Sequence, residues 1–377
     1  MGLANRIKTA TPALPSQSTS NSSPTNPPPP AYTDDPVQAS GQQTRYSQDR
    51  YGEHLQQAPV PVKQEVYQQP YQQPYQQSSQ PVCASSVPST PQHSPTYGNA
   101  GSSALESKLR LIISSNRLEG FYDSSNFTRV LNKILAIDFN RIAREWQIPV
   151  ELAHDLAPLA LYDIVFYVDD SGSMAFEENG ERIDDLKFIL SKVSDLATLF
   201  DDDGVTVAFM NSSLTGTGIR SSADVANLVG KVSFSGMTPL GRELDRKVVQ
   251  PLILSPARGN ALQKPVLVIA ITDGEPSGEP RSAILDVVKR AKEALLRTRY
   301  GPGAFALQIG QVGKDVKTQR FLSSLDNDPT IGSMIDCTSY YEMEAEEFAA
   351  KGVILTPELW LLKLCIGAID PTVDDQD

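Results

Sequence analysis

The sequence predicts an α/β fold built on a doubly wound, mostly parallel sheet, with an N-terminal helical extension and a disordered N-terminal tail. Three observations lead to this prediction. From residue 162 onward, short apolar runs alternate with amphipathic helical patterns, which is typical of βαβ crossovers. Between residues 101 and 161 the apolar spacing is mainly helical, and residues 1–100 carry too few apolar side chains to build a core.

The composition of residues 1–100 predicts a disordered tail. They carry 16 of the chain's 28 prolines and 16 glutamines, but ten Leu, Ile or Val residues and no Phe or Trp. So few bulky apolar side chains cannot offset the conformational entropy that ordering costs. A tandem Tyr-Gln-Gln repeat over residues 67–77 is compatible with the same interpretation.

Residues 101–161 are predicted to form a helical lead-in followed by a linker. Ser103 and Glu106 have the spacing of a capping box. Helical apolar spacing then recurs in three stretches: 105–113, 127–135 and 142–146. Pro149 ends the last of them, and we expect an irregular linker over 150–161.

Residues 162–377 are predicted to form the main domain. The predicted strands are 164–168, 205–210, 266–271, 304–309 and 334–337. The predicted helices are 183–200, 223–229, 242–249, 283–298, 316–325 and 358–366. A sheet of this kind binds ligands at the carboxyl ends of its strands, so we expect the functional site there.

Charge excludes two classes of partner. The first hundred residues carry five basic and five acidic side chains, so the net charge of −12 falls entirely on the rest of the chain. Nucleic-acid binding needs clustered Lys or Arg, and an acidic surface is repelled by anionic lipid, so we predict neither partner. The longest apolar run, 359–369, is too short to span a membrane and contains Lys363.

Cysteine usage and the N-terminal sequence predict an intracellular protein. Cys83, Cys337 and Cys365 are odd in number and widely spaced, which fits neither a disulfide framework nor a zinc site. The first residues lack the apolar core of a signal peptide. We therefore expect a protein of the cytoplasm or the nucleus that is not secreted.

Three loops bring oxygen-bearing side chains to the expected site. The first predicted strand runs into Asp169, Ser171 and Ser173, whose alternate spacing directs side chains to one side of an extended loop. Asp273 follows the strand at 266–271, and Thr238 lies in a glycine-containing loop before a helix. Carboxylate and hydroxyl oxygens suit Mg²⁺ or Mn²⁺, with ligand positions left for water or an outside carboxylate. We expect Asp170 to point outward or to support these ligands.

These residues carry a resemblance to a known family. Residues 162 to about 370 resemble a von Willebrand factor type A (VWA) domain, and the three loops resemble its metal-ion-dependent adhesion site. The family pattern is Asp-x-Ser-x-Ser with a downstream Thr and Asp, and it corresponds here to Asp169, Ser171, Ser173, Thr238 and Asp273. The resemblance implies a Rossmann-like sheet, serines that bind the metal directly, a threonine that binds directly or through water, and aspartates that often act through water. The lead-in and the Pro/Gln-rich tail are similar to those of fungal proteins with this domain.

The resemblance implies an adaptor or scaffold rather than an enzyme. In such a site a divalent cation holds an Asp or Glu side chain of a partner protein, which the acidic domain alone would repel. Three alternatives stay open: a Mg²⁺-dependent hydrolase or phosphoryl-transfer enzyme, a metal with a purely structural role, and an extracellular adhesion protein. His154 precedes the first strand and is the only histidine outside the tail, so we do not expect it to act as a base.

A second contact is predicted in the tail. Pro29, Pro30, Ala31 and Tyr32 form a Pro-Pro-x-Tyr pattern, the type of ligand that WW domains bind. The prolines favour an extended conformation before binding, and Tyr32 supplies the aromatic anchor.

We predict that a peptide covering residues 24–38 binds WW domains and that the Tyr32→Ala peptide does not. The measurement is a titration of both peptides against a panel of WW domains. Equal binding of the two peptides, or no binding of either, would show that the pattern is ordinary low-complexity sequence.

Overall fold

A six-stranded sheet forms the centre of the protein in the computed structural model, which describes residues 2–10, 99–200 and 203–374. The strands are β1 Asp163–Val168, β2 Val205–Phe209, β3 Thr215–Ile219, β4 Val266–Thr272, β5 Phe305–Gln311 and β6 Ile335–Thr338. Their order across the sheet is β3-β2-β1-β4-β5-β6. All neighbouring strands are parallel except β2 and β3, which are antiparallel. The predicted α/β class with a mostly parallel sheet is confirmed.

Helices cover both faces of this sheet. They are α1 Leu3–Ala10, α2 Asn99–Ser115, α3 Ser124–Leu135, α4 Phe139–Trp146, α5 Val150–Ala153, α6 Gly172–Phe176, α7 Glu181–Phe200, α8 Ser222–Val229, α9 Leu240–Leu244, α10 Ser255–Arg258, α11 Ala283–Leu295, α12 Val316–Asp326, α13 Tyr341–Ala350, α14 Pro357–Ile366 and α15 Pro371–Asp374. A π-helix, Asp245–Leu254, joins α9 to α10, and short 3₁₀ helices occur at His154–Leu161, Glu177–Gly180, Pro302–Ala304 and Gly332–Met334.

The two faces of the sheet pack into two apolar clusters. Val165 and Tyr167 of β1 belong to one cluster with α9–α12, whereas Phe166 and Val168 belong to the other with α2–α5, α7, α8 and α14. All seven residues of β4 are buried. Burial on both faces explains why these strands are near-continuous apolar runs in the sequence.

β3 is the strand that the sequence did not predict. Its sequence, Thr-Gly-Thr-Gly-Ile, lacks the apolar alternation of a strand, and three of its five residues are exposed. β3 lies at the edge of the sheet and pairs with β2 alone. Pairing with a neighbour therefore forms this strand, and its own side chains contribute little.

The prediction of an irregular linker over 150–161 is wrong. The segment consists of α5 and the 3₁₀ helix, and Leu156, Leu159 and Leu161 are buried beside the sheet. The hydroxyl of Tyr122 donates a hydrogen bond to the carbonyl oxygen of Leu161. A 3₁₀ helix has three residues per turn, so its apolar pattern does not match the α-helical spacing used for prediction.

The prediction of disorder over residues 1–100 is wrong for residues 3–10, which form α1. Leu3, Ala4 and Ile7 of this helix are buried in the cluster that α2–α5 also share. A composition averaged over a hundred residues cannot reveal one amphipathic segment of eight residues. An isolated helix this short is unstable in water, so its packing against the rest of the protein stabilises it.

A cluster of charged side chains holds α1 in place. Arg6 and Lys108 both pair with Asp155, and both lie within 4 Å of Asp370. Both aspartates are buried. Although burial acts to raise it, the two cations, Lys108 above all, hold the pKa of Asp370 below its ordinary value.

Several predictions concern residues that the structure does not describe. The Pro-Pro-x-Tyr pattern, the tandem repeat and Cys83 lie outside the described residues. Cys337 and Cys365 are described, and both are free thiols. The predicted boundaries at residues 100 and 161 remain predictions. Within the described ranges, no helix is both long and apolar enough to cross a membrane.

We predict that Leu3→Ala lowers the free energy of unfolding by about 3 kcal/mol, because the side chain is fully buried and its removal leaves a cavity. Lys8→Ala, on the exposed side of the same helix, is the matched control and should change it by less than about 0.5 kcal/mol. Denaturant unfolding of both variants is the measurement. A neutral Leu3→Ala would contradict the packing of α1.

Candidate functional site

The candidate site lies where β1 and β4 end, side by side, in the middle of the sheet. β2 and β3 lie on one side of this pair, and β5 and β6 lie on the other, so the chain reverses its direction of winding here. In open α/β sheets, such a switch point leaves a crevice at the carboxyl ends of the strands. Val168 pairs with Ile271, and the Asp169 N–H donates to the Ile271 carbonyl oxygen at 2.9 Å. This register sets Asp169 next to Thr272 and Asp273.

Asp169 is the innermost of the predicted site residues. It is fully buried; its Oδ1 accepts a hydrogen bond from the Ser171 N–H at 2.9 Å, and its Oδ2 accepts one from the Thr272 hydroxyl at 2.7 Å. Burial, reinforced by repulsion from Asp273, raises the pKa of Asp169 to about 7. The hydrogen bonds from Thr272 and Ser171 act in the opposite direction.

Ser171, Ser173 and Asp273 continue the same chain of polar groups. The hydroxyl oxygens of Ser171 and Ser173 lie 3.0 Å apart, and the Ser173 hydroxyl donates to Asp273 Oδ1 at 3.0 Å. Ser173 lies in the first turn of α6, and Ser171 precedes that helix in an extended conformation. Four of the five predicted residues are therefore joined by hydrogen bonds.

Thr238 is brought close to the others without joining that chain. Its backbone N–H donates to the Ser277 hydroxyl at 2.8 Å, and its carbonyl accepts from the Ser277 N–H at 3.0 Å. A Cβ built on Gly274 would lie 3.8 Å from Thr238 Oγ1, so this hydroxyl lies beside the Asp273 loop. The side chain is buried, and its hydroxyl forms no hydrogen bond with any residue the structure describes.

Asp170 was expected to point outward or to support the ligands, and the structure shows the second alternative: the side chain is buried and supports the loops. Its Oδ1 accepts from the Asn211 N–H at 2.6 Å and from Asn211 Nδ2 at 3.2 Å, and its Oδ2 accepts from the Ser212 N–H at 2.7 Å. The Asn211 amide also donates to the Met237 carbonyl at 2.8 Å. Asp170 and Asn211 thus tie the first loop to the end of β2 and to the Thr238 loop.

Arg182 is the most important site residue that the sequence analysis missed. Its Nη1 lies 2.6 Å from Asp273 Oδ2, while its Nη2 pairs with Glu177 at 2.7 Å and Glu178 at 2.9 Å. The side chain is buried near the start of α7. Burial raises the pKa of Asp273, and the ion pair with Arg182 acts in the opposite direction.

The position of Arg182 depends on a glycine in the loop after β5. Gly313 has a φ of 74°, and a Cβ added there would lie 2.3 Å from Arg182 Nε. A side chain at residue 313 would therefore displace the guanidinium. The predicted helix begins at residue 183, so Arg182 falls just before it, and no local pattern indicates a contact with Asp273, 91 residues further along the chain.

Lys247 fixes the chain after β2. Its Nζ donates to the carbonyl oxygens of Phe209, Met210 and Ser212 at 2.6, 2.9 and 2.8 Å, and burial lowers its pKa. It therefore holds the chain as it leaves β2.

Glu279 fixes the start of α9. Its carboxylate accepts from the N–H groups of Gly241 and Arg242 at 2.7 and 2.8 Å, where the first N–H groups of a helix lack intrahelical partners. Gly241 lets α9 approach α11, since a Cβ there would lie 2.4 Å from the Ile284 nitrogen.

The donor set of the site consists of hard oxygen atoms. Within the described ranges, no three His, Cys, Asp or Glu side chains group together as ligands, so a cation here would need the hydroxyls as well as the two carboxylates. Oxygen ligands of this kind are those that Mg²⁺ and Mn²⁺ prefer. The unpaired Thr238 hydroxyl and the buried Asp169 carboxylate fit such an ion.

The comparisons add no relative to this description. No protein-family model matches the chain, and no curated protein sequence matches it. Fold and geometry define an α/β protein with oxygen-bearing side chains gathered at the switch point of its sheet.

Proposed function

We propose that the chain from residue 162 onward is a VWA-type domain with a metal-ion-dependent adhesion site. It acts as an adaptor in the cytoplasm or nucleus, and its Mg²⁺ or Mn²⁺ holds an Asp or Glu side chain of a partner protein. The observation that carries the proposal is the meeting of five oxygen-bearing side chains, from three separate loops, at the switch point of the sheet. The proposal is for a binding protein and not an enzyme.

The residues that would hold the ion are Asp169, Ser171, Ser173, Thr238 and Asp273. The ion supplies a positive charge at the surface of a domain whose net charge is strongly negative. Without that charge, a partner carboxylate would meet two buried aspartates and be repelled. The proposal thus explains why a carboxylate ligand needs the metal.

Arg182 gives this site a feature of its own. Its guanidinium already neutralises part of the charge on Asp273, through Oδ2, while Asp273 Oδ1 accepts from Ser173. A cation therefore encounters less negative charge than two free aspartates would offer. We propose that Arg182 moderates the metal affinity and keeps Asp273 oriented towards Ser173.

A structural role of the metal is the second candidate. The chain of hydrogen bonds through Asp169, Ser171, Ser173 and Asp273 already joins the loops after β1 and β4, and an ion at this place would tighten the same connection. An enzymatic role has no comparable support. His154 stacks on Phe139 with ring centroids 4.7 Å apart, in the helical region before β1.

The proposed adaptor has a second contact in its N-terminal region. We propose that the Pro-Pro-x-Tyr pattern at Pro29, Pro30 and Tyr32, outside the described residues, binds a WW-domain protein. Two separable contacts would let the chain hold two partners together.

We predict that the full chain binds Mn²⁺ and that Asp169→Ala weakens this binding at least about tenfold. Asp163→Ala, at the opposite end of β1, is the matched control and should bind like the wild type. Because the ion needs the ionised form of Asp169, whose pKa is raised to about 7, affinity should rise between pH 6 and pH 8. Titration calorimetry is the measurement, and equal affinity of Asp169→Ala and wild type would exclude the assigned ligands.

We predict that protein partners captured from a lysate in Mg²⁺ are released by a chelator and by an excess of an aspartate-containing peptide. Thr238→Ala should also lose these partners, while Thr217→Ala, on the exposed edge strand β3, should keep them. Mass spectrometry of the released fractions is the measurement. If every partner stays bound in chelator and to Thr238→Ala, the metal has a structural role.

A further inference from the structure

A cavity lies beside the end of β5, next to the site just described, because Glu178, which pairs with Arg182, belongs to its lining. It has a volume of about 420 Å³ and is enclosed by α7, the segment after β5, and the starts of α13 and α14. The side chains that line it fall into two groups, carboxylates and aromatic rings. These groups predict the kind of ligand that the cavity accepts.

The carboxylate group outnumbers the cations of the cavity by five to one. The five carboxylates are Glu178, Glu181, Asp184, Asp185 and Glu342, and the cation is Lys314. Lys314 forms an ion pair with Glu342, with 3.0 Å between Nζ and Oε1. Glu178 pairs with Arg182 and Asp184 pairs with Lys187, each at 2.9 Å. Glu181 and Asp185 are the two carboxylates of the cavity that form no ion pair with a described residue.

The excess of negative charge affects the pKa of Asp185. Burial, followed by repulsion from Glu342, Glu181, Glu178 and Asp184, raises its pKa to about 6. A cation placed among these groups would relieve the repulsion. The cavity is therefore electrostatically complementary to a positively charged ligand.

The aromatic group consists of Phe188, Tyr340, Tyr341 and Trp360. Tyr341 and Trp360 pack edge to face, with ring centroids 6.5 Å apart. The Tyr341 hydroxyl donates to the Leu355 carbonyl at 3.0 Å, and Trp360 Nε1 donates to the Ser339 carbonyl at 2.9 Å. Both rings are thus fixed by their own polar atoms, and aromatic faces attract organic cations.

We propose that this cavity binds the guanidinium group of an arginine in a basic segment of a partner protein. A guanidinium is planar, carries five N–H donors, pairs with carboxylates in a fork and stacks on aromatic rings. It can pair with the carboxylates and stack on the rings at the same time. A trimethylated ammonium offers no N–H, and a primary ammonium offers no flat face.

The inference goes beyond the metal-dependent function and does not depend on it. None of the proposed metal ligands lines the cavity. The test is therefore done in the presence of a chelator, so that failure of either proposal is seen separately.

The test titrates the full chain with the peptide acetyl-Gly-Arg-Gly-amide at low ionic strength, using NMR shifts or calorimetry. We expect a dissociation constant of about a millimolar for one such side chain. The peptide with citrulline, which is neutral and of the same shape, should bind at least about tenfold more weakly. The peptides with lysine and trimethyllysine should also bind more weakly than the arginine peptide.

Two variants connect binding to the cavity. Asp185→Asn should lower the affinity for the arginine peptide by about fivefold, whereas Glu346→Gln, an exposed carboxylate one turn after Glu342 on α13, should leave it unchanged. Asp185→Asn also removes repulsion, so its thermal unfolding should not occur at a lower temperature. Should that variant fail to fold, Glu181→Gln replaces it, with the same expected loss.

Four outcomes would overturn the proposal. They are no binding of the arginine peptide at millimolar concentration, equal binding of the citrulline peptide, lysine or trimethyllysine binding as tightly as arginine, and unchanged affinity in the carboxylate variant.

Discussion

The parallel pairing of β1 with β4 is the constraint on which the rest of the site depends. These strands are buried between two layers of helices, so their inner residues are apolar and polar side chains begin only where the strands end. Because the two strands run in register, they end at the same level and bring Asp169 beside Thr272 and Asp273. The chain winds in opposite directions from this pair of strands, which leaves the crevice at their carboxyl ends. The same strand ends carry the aspartates that give the crevice its negative charge.

Each loop at the crevice is positioned by a charged side chain that binds several backbone or side-chain groups. Asp170 holds the end of β2, Lys247 holds the following turn, Glu279 holds the start of α9, and Arg182 joins the α7 region to Asp273. A buried charge is costly when alone, but it becomes a rigid support when its hydrogen bonds are satisfied. These supports, more than the ligands themselves, determine the geometry that a cation would meet.

The sequence analysis succeeded where the apolar pattern of a segment matches the burial of that segment in the folded protein. Apolar runs located five of the six strands, and the loops after β1 and β4 contained four of the five candidate ligands. The fifth, Thr238, lies in the loop between α8 and α9. β3 and α1 were missed because their stability comes from neighbouring elements, and 150–161 was missed because its helical period is not 3.6 residues. Arg182 was missed for another reason. A charged side chain in a helix or loop carries no sequence signal for burial, which depends on partners far along the chain.

The ion cluster of Arg6, Lys108, Asp155 and Asp370 has a topological consequence. It fixes the helix before residue 11 to the helix that begins at Asn99, so the 88 residues between Ala10 and Asn99 connect two anchored ends of one folded body. The composition of residues 1–100 predicts a free tail, but the segment between Ala10 and Asn99 is joined to the folded body at both of its ends. The entropic cost of closing a loop grows only logarithmically with its length, so even a long insertion here is tolerated. A single cut in that loop would leave two fragments that the folded body still holds together.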